Sequence, residues 1–258
     1  MEAKLKASFL KEFIKVLKTL DDKANIYDGR DGFYTKTVDP KQYMLAEIKL
    51  PATAFAEYKP ANEKFNYDLT YFVEFLSLAE PEQLISLRTN KINMLELRMG
   101  NLVRNRKFNE PVADAKIPKL DGFLGHVVIP VEELRKAGKA TEHLNTDLIK
   151  LYLNPSEFKL YAEDNDYHGC VDYNDNYGCL GYVEFKLPHS LSPDFHCEKE
   201  AHSSFNKNLL VELINVIPCK DVKFWLGDNY ALKAEFSLSS PNSKVTYLIA
   251  PYVENSST

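Results

Sequence analysis

The second half of the chain repeats part of the pattern of the first half, and this repeat constrains the fold more than any other sequence feature. Glu47–Pro51 reads Glu-Ile-Lys-Leu-Pro, and Glu184–Pro188, 137 residues later, reads Glu-Phe-Lys-Leu-Pro. Val73–Leu76, Val-Glu-Phe-Leu, returns 138 residues later as Val211–Ile214, Val-Glu-Leu-Ile. Two nearly equal offsets in the same order predict two copies of one structural unit.

A short central stretch separates the two copies. Ala113–Asp121 has neither a helical nor a strand period, and Pro118 disfavours both a helix and a central strand. We therefore predict an N-terminal domain over residues 1–112, an interdomain connector over 113–123 and a C-terminal domain over 124–258. Each domain is long enough to bury a hydrophobic core.

Each copy is predicted to contain two helices and about seven strands, which is an α+β pattern. Ser8–Leu20 carries apolar residues at helical spacing, and Thr70–Ala79 is a second, very apolar helix. Pro130–Lys139 and Asn206–Ile217 are the corresponding helices of the second copy. Short segments separated by turn residues, such as Asp31–Gly32, indicate antiparallel strands.

The composition is that of an ordinary globular protein, with 45% hydrophobic and 27% charged residues. No apolar run approaches the ~20 residues that cross a bilayer. The N-terminal residues lack the apolar core of a secretory signal. We therefore expect an intracellular protein whose four cysteines, none of them spaced as Cys-x-x-Cys, are free thiols.

Charge is distributed unevenly along the chain, whose net charge is −5. Residues 1–112 hold 18 Lys/Arg and 16 Asp/Glu, whereas residues 113–258 hold 14 and 21. An acidic total argues against nucleic-acid binding over the whole surface, but it is compatible with a basic stripe on one face. Lys11, Lys15 and Lys18 form such a stripe on the first predicted helix, where they are either solvated or bind an anionic partner.

Three stretches give the chain a resemblance to a known family. Thr37–Pro40 reads Thr-Val-Asp-Pro, Leu226–Lys233 reads Leu-Gly-Asp-Asn-Tyr-Ala-Leu-Lys, and Tyr247–Glu254 reads Tyr-Leu-Ile-Ala-Pro-Tyr-Val-Glu. In this order they resemble motifs of the DNA sliding clamp called proliferating cell nuclear antigen (PCNA), over about residues 1–254. The resemblance is as good to archaeal and viral-type members as to eukaryotic ones. It implies the DNA clamp fold, in which two duplicated domains each contain antiparallel sheets and two helices that line the inner face of a ring.

The resemblance also implies an activity. Clamps of this family encircle duplex DNA as rings of three subunits, bind it without sequence specificity and make polymerases processive in replication and repair. DNA polymerase, the clamp loader, flap endonuclease and DNA ligase dock through short peptide motifs. No cofactor, metal, membrane contact or enzymatic activity is expected. The location would be the nucleus of a eukaryote, or the cytoplasm for an archaeal chain or a viral chain in a prokaryotic host.

Three sets of residues take roles through this resemblance. Cations on the inner helices would face the DNA phosphates: Lys11, Lys15, Lys18, Arg135, Lys136, Lys139 and Lys207. A pocket for partner peptides would form beside the connector from Val38, Gln42, Ile117, Pro118, Leu120, Ala231, Ala250 and Pro251. A subunit interface would pair the edge strand Leu102–Asn109 with Tyr182–Leu187, through Arg104, Arg106, Lys107, Phe108, Tyr182 and Glu184.

Two positions depart from the family pattern. The Thr70–Ala79 helix has no Lys or Arg and carries Glu74, so it would add little attraction to DNA. Ala115 stands where a larger apolar residue is common, which predicts a shallower or differently shaped peptide pocket. An alternative role for Ile117 and Leu120 is to pin the connector to the body of the protein.

Other interpretations stay open. The chain could be one subunit of a mixed ring, a monomeric clamp-like processivity factor, or an enzyme with a cysteine–histidine pair. Against an enzyme, no spacing singles out such a pair and phosphate-binding glycine motifs are absent. The acidic, tyrosine-rich stretch 162–181 partly matches a calcium loop from Asp164 to Asp175, but its flanks are predicted strands and its twelfth position is Asp. A solvated hairpin tip or a partner surface fits it better.

Overall fold

The computed structural model describes residues 1–90, 94–114, 116, 119–165 and 181–253. The chain divides into two compact units. Unit 1 comprises Met1–Pro118, Val216–Cys219 and Glu235–Tyr247, and unit 2 comprises Lys119–Asn215, Lys220–Ala234 and Leu248–Thr258. Unit 1 thus includes two short segments from the predicted C-terminal domain.

The elements of both halves follow one order: strand, helix, three strands, 3-10 turn, two strands, helix and three strands. The first half contains β1 (Glu2–Lys6), α1 (Ala7–Lys18), β2 (Lys23–Gly29), β3 (Gly32–Val38), β4 (Met44–Pro51), the turn Ala52–Ala54, β5 (Phe55–Lys59), β6 (Glu63–Asp68), α2 (Leu69–Leu76), β7 (Leu84–Thr89), β8 (Met94–Met99) and β9 (Leu102–Lys107). The second half contains β10 (Gly125–Pro130), α3 (Val131–Thr141), β11 (Leu148–Leu153), β12 (Glu157–Glu163), β13 (Tyr182–Pro188), the turn His189–Leu191, β14 (Phe195–Cys197), β15 (Ala201–Asn206), α4 (Lys207–Val216), β16 (Asp221–Leu226), β17 (Leu232–Phe236) and β18 (Lys244–Ile249).

The identical order confirms the predicted duplication. The repeated Glu-x-Lys-Leu-Pro motif ends β4 in the first half and β13 in the second, and a 3-10 turn follows each strand. Each half has nine described strands rather than about seven. The prediction missed β5 and β14, which occupy the same position in the two halves and are too short and too exposed for an alternating pattern to be visible.

Unit 1 contains two antiparallel sheets and a helix pair. One sheet has the order β5-β1-β7-β8-β9, and in the other β4, β3, β2 and β6 are successive neighbours. Helices α1 and α2 pack against each other. The fully buried rings of Phe13, Phe72 and Phe75 lie in the core. Helix α1 begins at Ala7, one residue before the predicted Ser8, because β1 runs directly into it.

The Asp31–Gly32 turn joins β2 to β3, as predicted. Gly32 has a φ of 119°, and a Cβ atom at this position would lie 2.1 Å from the carbonyl oxygen of Leu50. Only glycine fits this conformation so close to the next strand.

Unit 2 also contains two antiparallel sheets and two helices. One sheet has the order β13-β12-β11-β15, and in the other β14, β10 and β16 are neighbours. Helix α3 starts directly after Pro130, and Glu132 and Glu133 in its first turn complement the helix dipole. Leu134 and Phe205 are fully buried. In the part of the chain that the structure describes, no helix is long and apolar enough to cross a membrane.

Candidate functional site

Helix α1 carries Lys11, Lys15 and Lys18 at helical spacing along one face. The Nζ atom of Lys11 donates to the carbonyl oxygen of Ala79, beyond the end of α2, at 2.6 Å. Lys18 donates to the hydroxyl group of Thr70, at the start of α2, also at 2.6 Å. Two of the three lysines that were predicted to face DNA therefore also join α1 to α2.

Most of the charge on α3 is balanced within the helix. Arg135 pairs with Glu132, and Lys136 pairs with Glu133 at 2.7 Å. The bond to Glu133 raises the pKa of Lys136. Lys139 is exposed in the last turn and has no acidic partner among the described residues. The predicted cations of α3 leave a small positive excess near its C-terminal end.

Lys207 begins α4 and reaches the end of α3. Its Nζ atom donates to the carbonyl oxygen of Leu144 at 2.9 Å and to that of Thr141 at 3.4 Å. A cation placed there satisfies carbonyl groups that have no partner within the helix. Lys207 thus links the two helices of unit 2 as Lys11 links those of unit 1, and its predicted contact with DNA stays a prediction.

The acidic residue on α2 is neutralised by an arginine from the neighbouring sheet. Arg104 of β9 pairs with Glu74 at 2.7 Å, and its guanidinium lies 4.4 Å from the centre of the Tyr71 ring. Arg106 pairs with Asp68 at 2.7 Å and also lies over Tyr71. Sequence reasoning missed these pairs, although alternation along β9 places both arginines on one face of the strand.

The two strands predicted to meet between subunits are edge strands of their own sheets. In unit 1, β9 lies at one end of its sheet, and Phe108 just after it packs 4.6 Å from the Phe65 ring. In unit 2, β13 lies at one end of its sheet, with Tyr182 exposed and Glu184 paired with Lys186 at 2.9 Å. Lys107 is exposed.

The residues of the predicted peptide pocket are divided between the two units, which are described separately. In unit 1, Val38 ends β3, and Gln42 lies exposed in the turn that follows, with a φ of 62°. Ile117 and Pro118 lie outside the described residues. The part of the chain before them, residues 109–114, is called the entry segment below. It lies against unit 1, where Asn25 of β2 bonds the backbone of Val112.

In unit 2, two segments that carry predicted pocket residues form hydrogen bonds with strand β15. Its Ser204 carbonyl accepts the N–H group of Tyr252 at 2.7 Å, next to Ala250 and Pro251. Its Ser203 hydroxyl accepts the N–H group of Tyr230 at 2.9 Å, next to Ala231. The half-buried residues of the predicted pocket in this unit are Leu120, Ala231, Ala250 and Pro251. Three of the four therefore flank one strand.

Residues 119–124, called the exit segment below, lie against an aromatic cluster in unit 2. The Phe123 ring lies 5.3 Å from Tyr230 and 6.3 Å from Trp225, the only tryptophan of the chain. The ammonium group of Lys233 lies 4.0 Å from the centre of the Trp225 ring and 5.2 Å from that of Phe123. Aromatic faces attract cations at these distances.

Cys197 lies in surroundings that disfavour nucleophilic chemistry. The thiol of Cys197 donates to the Lys199 carbonyl, and burial raises its pKa, which disfavours the nucleophilic thiolate. His126 and Lys223 both bond Asp194 and lower its pKa to about 2. Across the described ranges, no three His, Cys, Asp or Glu side chains are grouped so that they could share a metal ion. Most of the calcium-like stretch lies outside the described residues.

Comparison with known proteins finds similarity to DNA sliding clamps. The family model described as proliferating cell nuclear antigen, N-terminal domain, matches residues 1–116. The DNA polymerase sliding clamps of Methanocella arvoryzae and Methanothrix thermoacetophila are each 26% identical to the chain, over 98% of it and 99% of their own length. The chain is thus similar to PCNA over residues 1–116 and to archaeal DNA sliding clamps over nearly its whole length. The predicted resemblance is thereby confirmed.

Solved PCNA structures share the fold of this chain. The PCNA of A. fulgidus, solved with the C-terminal region of FEN-1 bound, superposes with a TM-score of 0.85 at 20% identity over 98% of both chains. The Thermococcus kodakaraensis PCNA gives 0.82 at 22% identity over 97% of this chain and 99% of that one. A PCNA2-PCNA3 complex from Sulfolobus tokodaii gives 0.81 at 19% identity, with the same coverage.

Proposed function

We propose that this protein is a DNA sliding clamp that assembles with two further subunits into a ring, encircles duplex DNA and tethers replication and repair enzymes. The observation that carries the proposal is the pair of edge strands, β9 in unit 1 and β13 in unit 2. An edge strand offers backbone groups that pair readily with another chain. Leu102 on β9 and Tyr182 on β13 are 45% and 60% exposed, which suits residues that a partner subunit covers.

The helices would contact DNA weakly. Lys15 and Lys139 are exposed, whereas Lys11, Lys18 and Lys207 also hold helices together. Loose phosphate contacts of this kind depend on salt and allow sliding. Changing Lys15 and Lys139 together to Glu should weaken clamp-dependent DNA synthesis and increase its sensitivity to salt. Unchanged synthesis at moderate salt would contradict the DNA-facing assignment.

Partner enzymes would dock through short peptides beside the connector. The half-buried Ala231, Ala250 and Pro251 flank one strand in unit 2, which supports an apolar floor. A relative, the A. fulgidus PCNA, was solved with the C-terminal region of FEN-1 bound. DNA polymerase, the clamp loader and DNA ligase are proposed partners of the same kind.

A mixed ring of related subunits is the second candidate. The Sulfolobus tokodaii relatives PCNA2 and PCNA3 form a complex, and here Arg104 and Arg106 already pair within their own unit. Light scattering over a range of concentrations and salt decides between the two. A constant mass of three times 29.6 kDa supports a self-sufficient ring. A persistent mass of one chain contradicts the ring of identical subunits and supports either the mixed ring or a monomeric clamp-like factor.

A further inference from the structure

A ladder of three hydrogen-bonded asparagines joins the entry segment to strands β2 and β6 of unit 1. On adjacent strands, Asn66 of β6 lies opposite Asn25 of β2 and donates its side-chain amide to the Asn25 side-chain oxygen at 3.1 Å. Asn109 donates its side-chain amide to the Asn66 side-chain oxygen at 3.3 Å and its backbone N–H to the Asn66 carbonyl at 2.9 Å. The entry segment therefore begins with an antiparallel bridge to β6.

Asn25 bonds residues 112 and 114 of the entry segment through both the nitrogen and the oxygen of its side-chain amide. Its nitrogen donates to the Val112 carbonyl at 2.8 Å and to the carboxylate of Asp114 at 3.4 Å. Its oxygen accepts the Val112 N–H at 3.2 Å as well as the Asn66 amide. These four bonds fill the bonding capacity of an asparagine side chain. Asn25 is 7% exposed, so water cannot replace the partners that it would lose.

The last residue of the entry segment, Asp114, forms an ion pair. The Lys64 ammonium group, two residues before Asn66 on β6, bonds the Asp114 carboxylate at 2.6 Å. Lys64 and Asn25 lower the pKa of Asp114, which stays charged. The ladder and this ion pair act at successive points, so the backbone is held at residues 109, 112 and 114.

We propose that Asn25, Asn66, Asn109 and the Lys64–Asp114 pair form an anchor that positions the connector and thereby sets the affinity for partner peptides without touching them. This inference rests on the proposed peptide docking. Ile117, a predicted pocket wall, lies three residues after Asp114. Three residues of chain span at most about 10 Å. A connector whose entry segment is already fixed at Asp114 costs less ordering when a peptide binds beside it.

The test reverses the ion pair and then restores it. Lys64→Asp and Asp114→Lys each place like charges together, and the combined variant recreates the pair in the opposite sense. Affinity for a synthetic peptide copying the C-terminal region of A. fulgidus FEN-1 is measured by calorimetry. We expect each single variant to bind about three- to tenfold more weakly, and the combined variant to bind within about twofold of the wild type.

A matched pair in the same unit provides the control. Lys4 and Glu57 form an ion pair at 3.3 Å, and Lys4 has the exposure of Lys64. Reversing Lys4 and Glu57 should leave peptide affinity unchanged. Equal affinity for wild type and single variants, or failure of the combined variant to recover, would overturn the proposal.

Hydrogen exchange separates this proposal from the docking proposal. The Val112 N–H, which the Asn25 side-chain oxygen accepts, should exchange slowly in the wild type and faster in Asn25→Ala, which removes both the accepting oxygen and the donating nitrogen. Slow exchange that Asn25→Ala accelerates, in a wild-type protein that binds no peptide, would contradict docking yet support the anchor. Exchange of Val112 that Asn25→Ala leaves unaltered would refute the anchor itself.

Discussion

The two ends of the connector are held by different kinds of chemistry. The entry segment is held in unit 1 by asparagine amides and an ion pair, through bonds of defined direction. The exit segment is held in unit 2 by the Phe123 ring among Tyr230, Trp225 and the Lys233 ammonium group. One end therefore depends on hydrogen-bond partners and an ion pair, and the other on contacts of a half-buried aromatic ring.

This difference determines how each end can be weakened. Removing the partner of a buried amide lowers stability because the amide stays desolvated without a hydrogen bond. Removing a ring from an aromatic cluster lowers stability because contacts are lost and a cavity remains. Salt and pH act on the ion pair and hardly on the rings.

Removing the Phe123 ring should give the largest loss of stability. Phe123→Ala leaves a gap beside Tyr230 and Trp225, and because Phe123 is only half-buried we expect a loss of about 2 kcal/mol, below the ~3–5 kcal/mol of a fully buried ring. Fluorescence of Trp225, the only tryptophan, follows unfolding and should shift to the red. Phe123→Leu, which refills part of the gap, should lose less than half as much. An unchanged midpoint would show that the exit segment does not depend on the ring.

Removing the Asn25 amide should cost about 1–2 kcal/mol, because Asn25→Ala leaves the Val112 backbone groups and the Asn66 amide without partners. Denaturant unfolding measures this loss. The emission maximum of Trp225 should stay unchanged in the folded variant, since the tryptophan belongs to the exit end. A shifted emission maximum would contradict the independence of the two ends.

Element order and duplication could be predicted because periodicity, prolines and turn residues are local signals. Strands β5 and β14 could not, because three to five residues at a sheet edge carry no period. The helical spacing of the α1 lysines was visible in the sequence. The bond from Lys11 to Ala79 was not, because 68 residues separate the two groups.

The asparagine ladder had a signal that sequence reasoning passed over. Asparagine is disfavoured in strands, yet Asn25 and Asn66 lie within β2 and β6. A buried asparagine in a strand must find partners for its amide, and these partners came from a third segment of the chain that local patterns do not identify. The anchor could therefore be suspected from two residues, but its geometry required the fold.

The two lysines next to the connector ends should differ in their response to salt. Lys233→Met removes a cation over the Trp225 ring and should cost about 0.5–1 kcal/mol at low and high salt alike. Lys64→Met removes an ion pair and should cost no more than ~1 kcal/mol at low salt and almost nothing at 1 M salt. Unfolding of both variants at two salt concentrations tests this, and equal salt dependence would remove the distinction between the ends.

Acid should weaken the entry end by the smallest amount. Bonds from Lys64 and Asn25 lower the pKa of Asp114 below its usual 3.8, and Lys36 contributes in the same direction. A carboxylate with a lowered pKa in the folded state stabilises the protein above its unfolded pKa, and this contribution disappears as the pH falls through the folded pKa. Half of the side chain is exposed, so the effect should stay below ~1 kcal/mol.

Val112 amide exchange, corrected for its intrinsic pH dependence, should accelerate below pH ~4 in the wild type. Asp114→Asn, which lacks the titrating group, should show no such step, and an identical step in both proteins would assign the acid sensitivity to another group.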